Sequence, residues 1–504
     1  MSFDPVIKLI LIILLVFTPL AFGSVAIWAF SLMELGILLI IILFTVQQLF
    51  FARNSELGTR NSAIDYNSAF PIPRSALVLC SLFLALILLQ MFPLPAAWLS
   101  SISPQTYNLR VRLLDAPFLN DLMTHYSMAN NSMTNGPLPV SHGLFPISFF
   151  PFATKIEFFK WATLMGLFFF LLRWKLLANG QRAVQHFILI IMLVGIVESF
   201  YGILEFFSGH RHILYLEGKA LMSSVMGTFI NRNYFAGYLL MVIPLSVGFL
   251  LARDAGQNVY FRGWRHRLAS LDGKTILLGF GVILMILGLL FSASRMGIIS
   301  LLLSFTLISF LFRGHRLGQR FSRTTVLIFG LALLWGAWIG LDAVISRFLT
   351  ASEDFEIRWV FWANTAQILK DFPLFGSGLG TFAQIFPMYR SFHIRGIATH
   401  AENDFLQLAS ETGLIGIGLL FLLFLLLFIK VFIGIRSLSY AAPHRNLAIG
   451  GLVGILALMF HSLVERNMQV PANALLFTFL WALVLKITHR PPGQFQFQKA
   501  PMPH

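Results

Sequence analysis

Residues 409–430 read ASETGLIGIGLLFLLFLLLFIK, an apolar run closed by a single lysine. A helix must supply roughly 17–25 apolar residues to cross about 30 Å of hydrocarbon, and this run is long enough. Runs of the same kind recur from one end of the chain to the other, so the buried helices of a soluble core do not account for them. They lie near residues 6–22, 27–50, 75–92, 153–174, 183–206, 233–252, 275–291, 295–312, 324–345, 447–464 and 470–487, which with 409–430 makes about twelve spans. The expected fold is an all-α polytopic integral membrane protein.

Composition agrees. Hydrophobic residues make up 57% of the 504, charged residues only 11%, and 53 are phenylalanine, a bilayer composition rather than that of a large soluble protein. The first run, from Val6 to Leu20, resembles a secretory signal, but a second follows almost at once with no small-residue cleavage site between them, so it is read as an uncleaved anchor. Cys80 is the single cysteine and lies in an apolar stretch, which excludes intrachain disulfides and cysteine metal sites.

The net charge of +15 at first suggests nucleic acid, but its placement argues against that. Basic residues gather in alternate loops: Arg53, Arg60 and Arg74; Arg173, Lys175 and Arg182; Arg253 to Lys274; Arg313 to Arg323; Lys430, Arg436 and Arg445. Alternation of this kind follows the positive-inside rule, which puts those loops and both termini in the cytoplasm and makes the charge topogenic. The expected partition is transmembrane helices over 1–92, an outer loop over 93–152, a transmembrane core over 153–345, an outer segment over 346–408, transmembrane helices over 409–487 and a cytoplasmic tail over 488–504.

The outer segments differ in kind. Residues 93–152 are rich in Pro, Ser, Asn and Met, with turn formers such as Asn135-Gly136-Pro137, and suit a loose cap or a loop that recognises an acceptor. Residues 346–408 mix Arg, Glu, Asp, Trp, Tyr and His, with helix-like stretches at Arg358 to Asp371 and Thr399 to Glu411, as in a small helical subdomain. Residues 207–232 hold Gly-His-Arg-His at 209–212 and end in Gly227-Thr228-Phe229-Ile230-Asn231-Arg232-Asn233, with a middle apolar enough to dip into protein without crossing.

The candidate chemistry lies in these outer segments. Arg295 opens a span within Ser294-Arg295-Met296-Gly297, at a depth where a charge is costly unless it lines a wet cavity, meets a partner or snorkels to the interface. Arg358 begins Arg358-Trp359-Val360-Phe361-Trp362, an aromatic stretch suited to the interface, and a guanidinium can fork two phosphate oxygens. Arg232, Arg390 and Arg395 are further cations on this side. In Thr399-His400-Ala401-Glu402-Asn403-Asp404, a helix would place His400, Asn403 and Asp404 on one face, where the imidazole can serve as a general base; a helix cap with a satisfied histidine is the other reading. The i, i+2 spacing of His400 and Glu402 does not suit a shared metal, and no metal or cofactor is expected.

Taken in order, Gly227-Thr228-Phe229 with Asn231-Arg232-Asn233, Ser294-Arg295-Met296-Gly297, Arg358 to Asp371 continuing through Pro373-Leu374-Phe375-Gly376-Ser377-Gly378-Leu379-Gly380, His400 to Glu411-Thr412-Gly413, and His461-Ser462-Leu463-Val464-Glu465 resemble the O-antigen ligase and polymerase superfamily of bacterial surface-glycan assembly. The likeness covers about residues 185–487. It implies a metal-independent glycosyltransferase of the bacterial inner membrane with its active site facing the periplasm. The donor would be an undecaprenyl-pyrophosphate-linked glycan, the acceptor the lipid A core or another glycan, with membrane lipids as surroundings and no nucleic acid. Carried over to this chain, Arg295, Arg358 and Arg232 would hold the pyrophosphate, His400 and Glu402 would be the catalytic pair, and Asn403 and Asp404 would support them. Many members have a second histidine where this chain has Glu402; His400 is taken as the base that activates the acceptor hydroxyl, with Glu402 as its orienter or the alternative base. Two other classes stay open from the residues alone: a transporter using Glu34 or Glu198 in mid-membrane, and a noncatalytic part of a polysaccharide export complex.

Overall fold

The protein is described from a computed structural model over residues 2–56, 73–114, 143–174, 181–209, 212–217, 224–255, 272–311, 351–392, 398–439 and 442–489, with residues 326, 330 and 334. The expected span at 324–345 otherwise lies outside the described residues, as do the turn at 135–137, His210, Arg211, Arg395 and residues 490–504.

Among the described residues there are fifteen α-helices. In chain order they are α1 (Asp4–Leu20), α2 (Ile27–Glu56), α3 (Arg74–Met91), α4 (Ala96–Ile102), α5 (Pro104–Leu114), α6 (Pro151–Arg173), α7 (Gln181–Ser208), α8 (Arg232–Ala255), α9 (Gly273–Phe291), α10 (Arg295–Leu311), α11 (Ala351–Asp371), α12 (Phe382–Ile385), α13 (Asp404–Ser437), α14 (Pro443–His461) and α15 (Pro471–Thr488). Two short antiparallel pairs, Pro93–Pro95 with Leu144–Pro146 and His212–Ile213 with Leu216–Glu217, are the sheet among these residues. Eight helices are long and apolar enough to cross a membrane: α2, α3, α7, α8, α9, α13, α14 and α15. The protein is an all-α polytopic membrane protein. Every other expected span that can be traced is also helical, α1, α6 and α10 being shorter or more polar.

The chain divides into two compact units, the first comprising Met1–Pro73, Thr163–Glu353 and Leu426–His504, the second Arg74–Ala162 and Asp354–Leu425. The centre of the first unit is the pair α8 and α14. Small residues let the two backbones meet: a Cβ on Gly450 would strike the Pro244 carbonyl, and one on Gly454 would lie 2.9 Å from Met241 O. Between apolar helices in lipid, close approach of this kind supplies the packing that water cannot drive. The buried Lys486 is hydrogen-bonded, its Nζ donating to Trp174 O at 2.6 Å, and Trp174 Nε1 donates in turn to Asp4 Oδ1 at 2.9 Å.

The second unit is built on a broken helix. Gly413, at φ 67° and ψ −174°, interrupts α13 and frees backbone groups on both sides. The freed groups pair with the Pro373 to Gly378 strip: Leu414 N–H donates to Pro373 O (2.8 Å), Ile415 N–H to Leu374 O (3.3 Å), Ser377 N–H to Ser410 O (3.1 Å) and Gly378 N–H to Glu411 O (3.0 Å). Gln90 closes the arrangement, its Nε2 donating to Phe375 O and Glu411 O at 2.6 and 2.8 Å while its Oε1 accepts from Leu379 N–H at 3.1 Å. Non-helical backbone of this kind is tolerated in an apolar setting where freed groups find protein partners, as these do. The glycine-rich run 376–380 therefore holds the helix break together rather than cradling phosphate.

Candidate functional site

In the first unit two arginines begin helices. α9 and α10 are joined by Ser292, Ala293 and Ser294, with Ala293 at φ 51° making the reversal tight. Ser294 O accepts the first helical bond, from Ile298 N–H at 3.0 Å, so Arg295 is the first residue of α10, as expected. Asn231 caps α8 by accepting Asn233 N–H on Oδ1 at 2.8 Å, which makes Arg232 the first residue of that helix. Both arginine side chains are half-buried.

The turn between α14 and α15 reaches both of these helix starts. His461 Nε2 lies 3.4 Å from Ser294 Oγ, and His461 Nδ1 is 3.1 Å from Asn467 Nδ2, an amide donor that makes Nδ1 the acceptor and leaves the ring proton on Nε2. Asn233 Nδ2 donates to Glu465 Oε1 at 2.6 Å, and the Arg466 guanidinium sits 5.7 Å above the Tyr234 ring. His461, Glu465 and Asn467 are fully or almost fully buried. Sequence reasoning noted His461 to Glu465 only as part of a resemblance; the available signal was a polar turn between two apolar helices.

Glu198, the mid-membrane carboxylate on which a transporter reading leaned, is bound to a neighbouring loop. Its Oε2 accepts Thr228 N–H at 2.7 Å and its Oε1 accepts from Thr228 Oγ1 at 2.6 Å. Gly227 makes room for it, since a Cβ there would strike Oε2.

The second unit carries Arg358, His400, Glu402, Asn403 and Asp404. Arg358 lies within α11, not at its start, and the neighbouring Phe355, Ile357 and Trp359 are exposed. The expected helix over Thr399 to Glu411 begins only at Asp404, so His400, Asn403 and Asp404 do not share a helical face. The reason is local: Asn403 caps the helix, its Oδ1 accepting Leu406 N–H at 2.9 Å and its carbonyl accepting Gln407 N–H at 3.0 Å. Glu402 before it adopts φ 52°, a left-handed conformation that costs a non-glycine residue about 1 kcal/mol or more. Ala401 anchors the turn. It is fully buried among Ile368, Phe372, Phe382, Ile385 and Phe386, and its N–H donates to Gln407 Oε1 at 3.0 Å. His400 and Glu402 flank that anchor, both half-buried.

Two further residues, Glu411 and Tyr389, brace this unit. Glu411 is buried and accepts Phe382 N–H at 3.0 Å and Gln407 Nε2 at 3.3 Å, linking the broken helix to α12. Tyr389 donates to Asp371 Oδ2 at 2.6 Å. Burial, and then that carboxylate, raise the phenol above its ordinary range, so Tyr389 stays a donor at any working pH.

Residues 280–421 match the family model described as O-antigen ligase, a stretch that includes Arg295, Arg358, His400, Glu402 and the Gly413 break. No curated protein matches the chain. The protein is a polytopic membrane protein in which residues 280–421 are similar to the O-antigen ligase family.

Proposed function

We propose that the protein is a metal-independent glycosyltransferase of the bacterial inner membrane that transfers or polymerises glycan from undecaprenyl pyrophosphate at the periplasmic face. The observation that carries this reading is the single continuous family match over both Arg295 and Arg358 and over the His400 to Glu402 turn. In the reaction an acceptor hydroxyl oxygen attacks the anomeric carbon of the donor sugar. The new C–O bond forms as the bond to the pyrophosphate oxygen breaks, and undecaprenyl pyrophosphate leaves with the electron pair. The hydroxyl proton passes to His400 or Glu402.

Arg295, Arg358 and Arg232 then have one task, which is to stabilise charge growing on the departing phosphate. Preorganised guanidinium groups in a site poor in water do this without reorganising during the step. Glu402 is the stronger of the two base candidates once its backbone is considered, because a carboxylate kept in a left-handed turn needs a reason. Asn403 and Asp404 support the turn from the helix cap. Acceptor choice is assigned to residues 93–152.

Deletion of the gene, followed by separation of surface glycans, tests the reading. Free lipid-linked polymer with bare lipid A core identifies a ligase, and core capped with single repeats identifies a polymerase. Unchanged glycans in a strain with no second copy would overturn it.

A further inference from the structure

We propose that the turn 461–467 is a positioning clamp for Arg295 and Arg232, holding both helix starts so that their guanidinium groups present to one anionic ligand. This inference rests on the donor-binding reading above.

Each arginine is gripped through the residue beside it. Ser294, one residue before Arg295, meets His461, and Asn233, one residue after Arg232, donates to Glu465. The two helix starts are close, since a Cβ on Gly297 would lie 3.3 Å from Ala236 Cβ. Asn467 makes the turn rigid. It bonds the imidazole on one side, and on the other it packs so tightly on α8 that a Cβ on Gly237 would strike its amide oxygen.

Packing alone does not explain this arrangement. Burying an imidazole, a carboxylate and an amide is costly, and an apolar turn would join α14 to α15 with less penalty. An arginine at the first position of a helix is also disfavoured, because it meets the positive end of the helix dipole. His461, Glu465 and Asn467 are thus positioning residues, acting on the ligand through Arg295 and Arg232.

The test uses the full-length protein in lipid nanodiscs, with undecaprenyl pyrophosphate as the probe. His461→Ala, Ser294→Ala and Glu465→Ala are each expected to weaken its binding about tenfold, with donor KM rising in parallel and acceptor KM unchanged. His461→Gln and Glu465→Gln keep the relevant donor or acceptor atom and should bind within about threefold of wild type. The double variant His461→Ala with Ser294→Ala should be no weaker than either single one. Ser294→Ala removes only a hydroxyl, so it reports even if His461→Ala does not fold. Wild-type affinity in Ser294→Ala and Glu465→Ala, alongside weakened Arg295→Ala and Arg232→Ala, would overturn the clamp alone. Wild-type affinity in both arginine variants would overturn the donor-binding reading and the clamp with it.

Discussion

Replacing Gly413 by alanine should break the second unit's central joint. The added Cβ would meet the Leu374 carbonyl and lie 2.6 Å from Phe375 N, and both obstacles are backbone, which cannot swing aside. At φ 67° and ψ −174° the position is one that only glycine occupies readily, so the conformation alone costs an alanine about 1–3 kcal/mol. Pushing Leu374 away also weakens the bonds from Leu414 and Ile415 N–H, where each lost pair in an apolar setting costs about 1–3 kcal/mol. Together the loss is about 4 kcal/mol or more. Gly418, on the same helix, is the internal control, because a Cβ there meets nothing within 4 Å. Gly418→Ala adds the same methyl group in a helical position and should gain about 0.5–1 kcal/mol. Thermal unfolding of the purified protein in detergent, followed by aggregation or intrinsic fluorescence, measures both. The expected result is a midpoint for Gly413→Ala several degrees below wild type, with Gly418→Ala at or above it. Equal midpoints for the two variants would refute the broken-helix account.

Other expectations follow from single positions. Gln90→Leu takes the side-chain partners from the Phe375 carbonyl and the Leu379 N–H and leaves the Glu411 carbonyl with only its bond from Gly378 N–H, and should lower stability by about 2 kcal/mol or more, readable in the same melt. Glu402→Gly should match or exceed wild-type stability, whereas Glu402→Val should lose about 1–2 kcal/mol from its left-handed backbone. Glu402→Gln keeps the turn and, with the carboxylate as base, lowers turnover about a hundredfold. Asp272 caps α9 through Thr275 N–H at 3.2 Å and pairs with Arg253 at 3.0 Å, and its bonds to Thr275 hold its carboxyl below the usual range. Since the folded group titrates lower than the unfolded one, its stabilisation is full above the ordinary aspartate pKa and fades as pH falls. Asp272→Ala should therefore lose about 1 kcal/mol at neutral pH, with a smaller gap to wild type in acid melts.

What could be read in advance depended on the range of the interaction. The apolar runs announced α2, α3 and α13 because spanning lipid is a property of each segment by itself. Arg295 was placed correctly at a helix start for the same reason, since a polar triplet between two apolar runs marks a reversal. Of the two readings of His400, the shared helical face fails and the cap is found, with Asn403, a strong capping residue followed by an acid, as its local sign. Gly376 to Gly380 gave no hint of its role, for its partners are Gln90 and the Gly413 break, paired across much of the chain. His461 was equally hidden, lying 167 residues from the serine it meets.

The most direct test of the proposed chemistry is glycan transfer by the purified protein in liposomes, supplied with an undecaprenyl-pyrophosphate-linked glycan and an acceptor in the presence of a metal chelator. Wild type should turn over, and Arg295→Ala and Arg358→Ala should each lose about two to three orders of magnitude. Glu402→Gln and His400→Ala should separate the base from its neighbour, with the larger loss at Glu402. Full turnover by all four variants would contradict the account.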